Sequence, residues 1–108
     1  MPVRGSGRRY LGLWVSGRQK FTAKEIVDSV QTGVLDVYGI QGLSKIEPVL
    51  IDFDDDSQRG IIRCNRSHLR QMRAALALIT RISDAAAAVH VERVSGTIKA
   101  LKSKLDDK

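Results

Sequence analysis

Three aspartates in one turn are the first residues whose spacing suggests chemistry. Asp52, Asp54 and Asp56 have the 1, 3, 5 spacing of a calcium loop, in which alternate carboxylates converge on one cation. The rest of that motif is missing, because Ser57 stands at the sixth position instead of glycine and Arg63 at the twelfth instead of glutamate. We interpret the segment as a solvated acidic hairpin. A stand-alone metal nuclease built on Asp54 and Asp56 is the alternative.

The other titratable residues give little support for acid–base or nucleophilic catalysis. The chain has two histidines, His68 and His90, and one cysteine, Cys64, without a recognisable nucleophile motif. These three residues do not make up the four ligands of a structural zinc site. Cys64 alternates with Ile62, which favours a small core residue over a nucleophile. We predict no catalytic residue, no metal site and no cofactor bound by the protein itself.

Basic residues dominate the charge of the chain. Eighteen lysines and arginines against twelve aspartates and glutamates give a net charge of +6 and a pI near 9.9. Such a surface attracts polyanions, so RNA or DNA is the first partner to consider. No apolar run approaches the ~20 residues that span a bilayer. A single cysteine excludes an internal disulfide, so we expect a soluble cytoplasmic protein without a membrane partner.

Arginines are predicted to form a stripe on one helix. Apolar residues from Leu69 to Ile82 recur at helical spacing and predict a helix over about residues 66–82. The opposite side of this helix would carry Arg66, Arg70, Arg73 and Arg81 within an arc of roughly 80°. Arginine can hold two phosphate oxygens at once, which suits an RNA backbone, although a solvated helix face is an equal alternative. The predicted RNA-binding residues are Arg63, Arg66, Arg70 and Arg73, followed by Lys99 and Lys102 of the last predicted helix.

The hydrophobic pattern predicts the elements that hold these residues. Alternating apolar residues predict four strands, at about residues 8–16, 46–53, 59–64 and 87–94. Helices are predicted from the capping box of Thr22 and Glu25 to Gly39, over 66–82, and from a Ser95 cap onward. Val37 is expected on the apolar side of the first helix, and Val49, Ile51 and Phe53 on one face of the second strand.

The order of these elements predicts the fold class. Strand, helix, strand, strand, helix, strand, helix is the order of an α+β, ferredoxin-like (RRM-like) βαββαβ sandwich with an additional C-terminal helix. We expect a four-stranded antiparallel sheet with two helices on one face. The domain is predicted to span residues 8–105, between a flexible leader over 1–7 and a tail over 106–108.

RNA-recognition domains with this element order stack bases on aromatic residues of the third strand. Here the third strand matches their motif only at Arg59 and Gly60. The aromatic positions of the motif hold Ile61, Arg63 and Arg66 instead. We therefore expect contacts with the backbone and shape of RNA, without base stacking on this strand.

Short runs along the chain carry a family resemblance. RRYL (8–11) and TAKEIVD (22–28) are similar to the start of the family, and GIIRC (60–64) with MRAALALI (72–79) resembles its strand and helix pair. VSGTIKAL (94–101) resembles its closing signature. The family is the archaeal ribonuclease P protein component 2, which has eukaryotic counterparts in the ribonuclease P and MRP particles. The resemblance covers nearly the whole chain, and the short C-terminus is similar to the archaeal form.

The resemblance implies a non-catalytic protein subunit of ribonuclease P that binds the ribonuclease P RNA. The holoenzyme is an endoribonuclease that removes the 5′ leader of precursor tRNA, and hydrolysis belongs to the RNA and its magnesium ions. Whether this chain alone is an enzyme stays open. Expected partners are the ribonuclease P RNA, protein component 3 in a heterotetramer, other ribonuclease P proteins and precursor tRNA. Pairing with component 3 would account for apolar groups such as Trp14 if they are exposed.

A protein-interaction or ligand-binding regulatory module is the alternative function. The ferredoxin-like fold serves many unrelated functions, so the fold alone does not decide between the two.

Overall fold

One antiparallel sheet of five strands organises residues 7–106, the part of the chain that this computed structural model describes. The strands are β1 (Arg8–Gly17), β2 (Val49–Asp54), β3 (Arg59–Asn65), β4 (Arg81–Ile82) and β5 (Ala85–Ser95), in the spatial order β2-β3-β1-β5-β4. The helices are α1 (Ala23–Ile46), α2 (Leu69–Ala77) and α3 (Ile98–Asp106), with a 3-10 turn over Arg66–His68 before α2. Residues 1–6 of the predicted leader and 107–108 of the predicted tail lie outside the described residues.

The sheet confirms the ferredoxin-like prediction and adds one short strand. The predicted second helix was too long, because α2 ends at Ala77 and the chain then forms β4. Ser83 and Asp84 both have positive φ, 51° and 66°, and join β4 to β5 in a two-residue hairpin. This backbone conformation matches the twist of paired strands. Ile82 is buried as predicted, but it reaches the core from a strand.

The main core lies between one face of the sheet and the pair α1 and α2. Alternate residues of β1 enter it, as Leu11, Leu13 and Val15 are all buried. Cys64 is also fully buried there, which confirms its prediction as a small core residue. Burial raises the pKa of its thiol to about 11, so the group is protonated and a poor nucleophile at neutral pH.

Helix α1 begins as predicted and ends later. The Glu25 N–H donates to Thr22 Oγ1 at 3.2 Å, and the Thr22 N–H donates to Glu25 Oε1 at 2.9 Å. Gly39 takes a left-handed φ of 73°, but helix resumes after this kink and continues to Ile46. The predicted end at Gly39 was wrong because Ile46 is a core residue, whose burial stabilises the added turns.

The capping box should contribute measurably to stability. We expect Thr22→Ala to lower the free energy of unfolding by about 1 kcal/mol, since it removes the acceptor for the Glu25 N–H. Urea denaturation at constant slope measures this change. Thr32→Ala, at an exposed position inside the same helix, is the matched control and should leave stability unchanged or raise it by up to about 0.7 kcal/mol, since alanine favours a helix interior. Equal losses in both variants would contradict a specific capping role.

A β-bulge in β2 changes which side chains of that strand share a face, so the predicted set was wrong. Leu50 pairs with Ile62 and Asp52 pairs with Ile61, so Ile51 is an extra residue opposite this step. The alternation of side chains toward and away from the core therefore inverts at Ile51. Leu50 and Phe53 pack against the core, whereas Val49 and Ile51 are exposed.

Helix α3 covers part of the opposite face of the sheet. Leu101 is fully buried, and its side chain and that of Leu105 lie over Gly12 of β1. A Cβ added at Gly12 would lie 3.0 Å from a Leu105 methyl, so the glycine makes room for the helix. The cap differs from the prediction: Thr97 Oγ1 accepts from the Ala100 N–H at 3.1 Å, and Ser95 is buried at the end of β5.

Candidate nucleic-acid interface

Three arginines form an exposed basic row at the start of α2. Arg66 lies in the 3-10 turn, and Arg70 and Arg73 follow at spacings of four and three residues. All three are exposed, and none of their side chains forms an ion pair or hydrogen bond with another residue in the 7–106 range. No acidic residue occurs in α2. These guanidinium groups are therefore available to phosphate oxygens. We call Arg66, Arg70 and Arg73 the arginine row.

The fourth arginine of the predicted stripe does not belong to this row. Arg81 lies in β4, because the chain leaves the helix at Ala77. Its side chain donates to the backbone carbonyl of Asp84 across the β4–β5 hairpin. The hairpin thus places Arg81 apart from the arginine row, and its prediction as part of one helical stripe was wrong.

Arg63 lies on the sheet face that is opposite α1 and α2. Its neighbours Ile62 and Cys64 on β3 point into the main core, so Arg63 points to the other side. It pairs with Tyr10 on β1 and is half-buried. Its Nε is buried without a hydrogen-bond partner among the described residues. This donor is therefore unmatched within residues 7–106, and its burial keeps it out of direct contact with a surface ligand.

The two predicted lysines lie on that same side. Lys99 and Lys102 are exposed on α3, which covers the face opposite α2. The neighbouring Lys104 turns back and donates to the Val94 carbonyl at 3.2 Å. The six predicted residues therefore form two groups separated by the sheet: the arginine row on the helical side, and Arg63, Lys99 and Lys102 on the other.

An aromatic pair on the open part of the sheet was missed by the sequence reasoning. Trp14 on β1 stacks on His90 of β5, with ring centroids 4.1 Å apart and an interplanar angle of 19°. Ser16 Oγ lies 2.9 Å from His90 Nε2 and orients the imidazole. Trp14 is half-buried, so it is not the exposed apolar group considered above. The alternation of Tyr10, Gly12, Trp14 and Ser16 in β1 was the available signal.

The acidic turn between β2 and β3 is closed by its own hydrogen bonds. Asp54 Oδ1 accepts from the Asp56 N–H at 2.9 Å. Gln58 is buried, and its amide bonds the backbone N–H and carbonyl of Phe21 at 2.9 and 3.0 Å. Across residues 7–106, no group of three or more histidine, cysteine, aspartate or glutamate side chains is placed to hold a metal ion. The helices of this range also include none that is long and apolar enough to cross a membrane.

A positive charge near this turn is already neutralised. Arg59 Nη1 lies 2.6 Å from both carboxylate oxygens of Glu92 on β5. The pair spans β1, since β3 and β5 lie on either side of that strand. Arg59 is therefore less available to phosphate than the arginine row.

Comparison with known proteins identifies the family. The model of the Rpp14/Pop5 family matches residues 9–105. The chain belongs to the Rpp14/Pop5 family. This confirms the resemblance drawn from the sequence runs, and it places every predicted RNA-binding residue inside the matched region of this Rpp14/Pop5 protein.

Relatives of this Rpp14/Pop5 protein align along most of their length. It is 37% identical over 103 residues to ribonuclease P protein component 2 of Pyrococcus furiosus and 36% identical to that of Thermococcus gammatolerans. Both alignments cover 95% of this chain and 86% of the relative. Component 2 of Methanococcus vannielii is 30% identical, with 78% of its length covered.

A solved structure shares the fold of this Rpp14/Pop5 protein. A chain in the electron cryo-microscopy structure of yeast ribonuclease MRP matches with a TM-score of 0.72 over 94% of both chains. Its sequence identity is 13%, so the likeness supports the fold and carries no assignment of residues.

Proposed function

We propose that this Rpp14/Pop5 protein is a non-catalytic subunit of ribonuclease P. In this role it binds the ribonuclease P RNA and supports removal of the 5′ leader from precursor tRNA. The observation that carries the proposal is the near full-length alignment with proteins named ribonuclease P protein component 2, over 95% of this chain and 86% of the first relatives.

The geometry supports RNA binding through fixed positive charge. The arginine row offers planar donors at neighbouring helical positions without internal acidic partners. Arg63, Lys99 and Lys102 offer a second basic group on the other side of the sheet, in which the two lysines are exposed and Arg63 is half-buried. Two basic groups on opposite sides suit a protein that lies between two segments of a folded RNA.

In this proposal the RNA subunit is the catalyst, and the particle is cytoplasmic. The RNA subunit and its magnesium ions carry out hydrolysis, so the holoenzyme is the endoribonuclease and this chain binds no cofactor of its own. The protein partners are ribonuclease P protein component 3, in a heterotetramer, and the other ribonuclease P proteins. The particle acts in the cytoplasm of an archaeal cell.

Cleavage of precursor tRNA by a cognate ribonuclease P RNA tests this function. The reaction is run at limiting magnesium with component 3 alone, with this chain alone and with both proteins. We expect both together to raise the rate of 5′ leader removal at least about tenfold over either alone, equivalent to about 1.4 kcal/mol of activation free energy. The physical reason is that added positive charge lowers the magnesium needed to hold RNA and substrate together.

The positive control replaces this chain with component 2 of Pyrococcus furiosus, a 37% identical relative. If that protein stimulates cleavage and this chain does not, the proposed function is wrong. The chain would then be better described as a ferredoxin-like interaction module.

A further inference from the structure

Two aromatic side chains meet on the sheet face that is opposite α1 and α2. Trp14 of β1 and His90 of β5 are cross-strand partners, and their rings stack with centroids 4.1 Å apart. The strand neighbours of Trp14, Leu13 and Val15, are buried in the main core, so the indole points to the opposite face. Both rings are half-buried, and each therefore keeps part of its surface in contact with solvent. We call Trp14 and His90 the aromatic pair.

The aromatic pair is ordered by contacts within the protein. Ser16 follows Trp14 on the same face of β1, and its Oγ lies 2.9 Å from Nε2 of His90. This hydrogen bond fixes the plane of the imidazole, while the stacked indole, inclined by only 19°, supports one of its faces. Rings that are already ordered lose little conformational entropy when another ring stacks on them. The pair is therefore a rigid surface for a flat ligand.

The outer side of His90 is the accessible side of this pair. In the spatial order of the strands β5 lies outside β1, so Trp14 covers the inner face of the imidazole. Within residues 7–106, β4 pairs with β5 only at Ala85 and Ala86, and no strand flanks the outer side of β5 from Ala88 onward. Ala88 is also the next residue on this face, and its methyl group is too small to cover the ring. A flat group can therefore approach His90 from the free edge of β5.

The charges around the aromatic pair disfavour a phosphate. Asp54, Arg59 and Trp14 are successive cross-strand partners on β2, β3 and β1. Arg59 is already bound to both carboxylate oxygens of Glu92. Two carboxylates thus stand against one arginine close to the indole. A phosphate oxygen is repelled by this arrangement, whereas a neutral nucleobase is not.

A cationic side chain is unsuited to the same surface. His90, the ring that would receive it, becomes a cation itself on protonation, and Arg59 adds a fixed positive charge on the other side of Trp14. An uncharged aromatic ring can stack on either form of the imidazole. The bases of a nucleic acid are such rings, and the net charge of +6 attracts the polyanion that carries them.

The base that stacks here has to be unpaired. In a duplex the faces of each base are covered by its neighbours, whereas bases in loops, bulges and single strands can leave their stack and bind aromatic side chains. We infer that the aromatic pair stacks an unpaired nucleobase of RNA, on β1 and β5 instead of the third strand. The inference rests on the proposed function, because that function supplies the RNA, either as ribonuclease P RNA or as precursor tRNA.

Fluorescence of the purified chain tests the aromatic pair directly, because Trp14 is its only tryptophan. The probe is an unstructured RNA of about 12 nucleotides, and the control ligand is a duplex of the same length. We expect the single strand to quench the emission of Trp14 at least about twofold more than the duplex does at saturation, since only the single strand offers free base faces. Equal quenching by the two RNAs would overturn the inference.

Variants at position 14 separate stacking from charge. Trp14→Leu keeps an apolar side chain without an aromatic ring, and it should lower the affinity for the single strand about tenfold, as expected for the loss of one base–aromatic stack. The slope of log affinity against log salt should stay unchanged, since no phosphate contact is lost. Trp14→Phe restores an aromatic ring and should bind within about threefold of the parent. A lower salt slope in Trp14→Leu, or equal affinities of the two variants, would contradict stacking.

Two other variants complete the comparison. His90→Ala removes the ring at the free edge and should also lower the affinity about tenfold. Urea denaturation shows which variants are folded, and positions 14 and 90 give independent answers if one variant is not. Val37→Ala is the matched control. Val37 was expected on the buried side of α1, but 43% of its surface is exposed on the helical side, so this variant should bind RNA like the parent. A similar loss in Val37→Ala would mean that exposed apolar surface in general, and not the aromatic pair, binds the RNA.

Ultraviolet cross-linking in the reconstituted particle distinguishes the two sources of the base. Ultraviolet light joins natural bases to aromatic side chains that contact them, and one of the two RNAs carries heavy nitrogen so that mass spectrometry identifies it. We expect a peptide modified at Trp14 or His90, and the mass of the attached nucleotide assigns it to ribonuclease P RNA or to precursor tRNA. The absence of this product from a particle that contains the chain would overturn the inference.

The same measurements distinguish this inference from the proposed function. If the particle cleaves precursor tRNA and Trp14→Leu binds RNA like the parent, the stacking assignment alone is wrong. If the chain does not stimulate cleavage but binds the single strand with quenching that Trp14→Phe and Trp14→Leu modify as expected, the proposed function is wrong and the base-binding site stands.

Discussion

Replacing Arg66, Arg70 and Arg73 together with alanine is expected to lower the affinity for ribonuclease P RNA about 100-fold at moderate salt. Each guanidinium is exposed and unpaired within the described residues, so we expect each to contribute a phosphate contact of about 1 kcal/mol. Three lost contacts should also lower the slope of log affinity against log salt by about 2 to 3, because fewer counterions are released on binding. Filter binding or fluorescence anisotropy over a salt series measures both quantities.

A second triple variant controls for net charge. Arg18, Lys20 and Lys45 are exposed outside the arginine row, and their replacement by alanine removes the same three charges. We expect this variant to lose less than about threefold in affinity, since a screened long-range field is weaker than direct phosphate contact. Circular dichroism should show both variants folded. Equal losses of affinity in the two triple variants would mean that diffuse charge, and not the arginine row, attracts the RNA.

The parts of the fold that could be predicted are those that local chemistry decides. The capping box of Thr22 and Glu25 forms within one turn, and its two hydrogen bonds require no tertiary contact. The ends of α1 and α2 were wrong for the opposite reason. Ile46 and Ile82 are buried whether their segments are helix or strand, so the apolar spacing alone does not decide where a helix ends.

Predicting the relative positions of the basic residues requires the register and facing of the strands in the sheet. Helical spacing was enough to place Arg70 next to Arg73. The bulges in β2 and β5 could not be seen in the sequence, and each inverts the alternation of its strand. Counting alternate residues back from Val94 would place His90 inward, but the extra residue at Glu92 turns it outward onto Trp14. The residues that meet on the open face of the sheet therefore could not be predicted from the sequence alone.

The placement of α3 connects the fold to the second basic group. Lys99 and Lys102 keep a fixed position only while this helix is docked on the sheet. A nine-residue helix is marginal in isolation, so its order depends on the contacts of its apolar side. Leu101 is the fully buried contact, and Leu105 is half-buried above Gly12. The stability of this second group should therefore depend on Leu101 more than on any charged residue of the helix.

Leu101→Ala is accordingly expected to release α3 from the sheet. Truncation of a fully buried leucine costs about 2–5 kcal/mol when the structure around it stays in place. Undocking of a terminal helix avoids that cavity, so the loss should appear locally and leave the main core intact. Amide hydrogen exchange over residues 98–106 should accelerate at least about 30-fold, equivalent to about 2 kcal/mol, while exchange in β1 and β3 changes little.

Two further variants test whether loss of docking on the sheet causes the faster amide exchange in α3. Gly12→Val adds a side chain on the sheet side of the same interface, where a Cβ lies 3.0 Å from a Leu105 methyl. This variant should also accelerate amide exchange in α3. Ser103→Ala, at an exposed position of α3, should leave exchange unchanged or slower, since alanine favours the helix. If α3 in Leu101→Ala stays as protected as in the parent while the whole domain loses stability in urea, the helix belongs to the global folding unit. Lys99 and Lys102 would then be held as rigidly as the core, because the helix would be released only when the sheet itself unfolds.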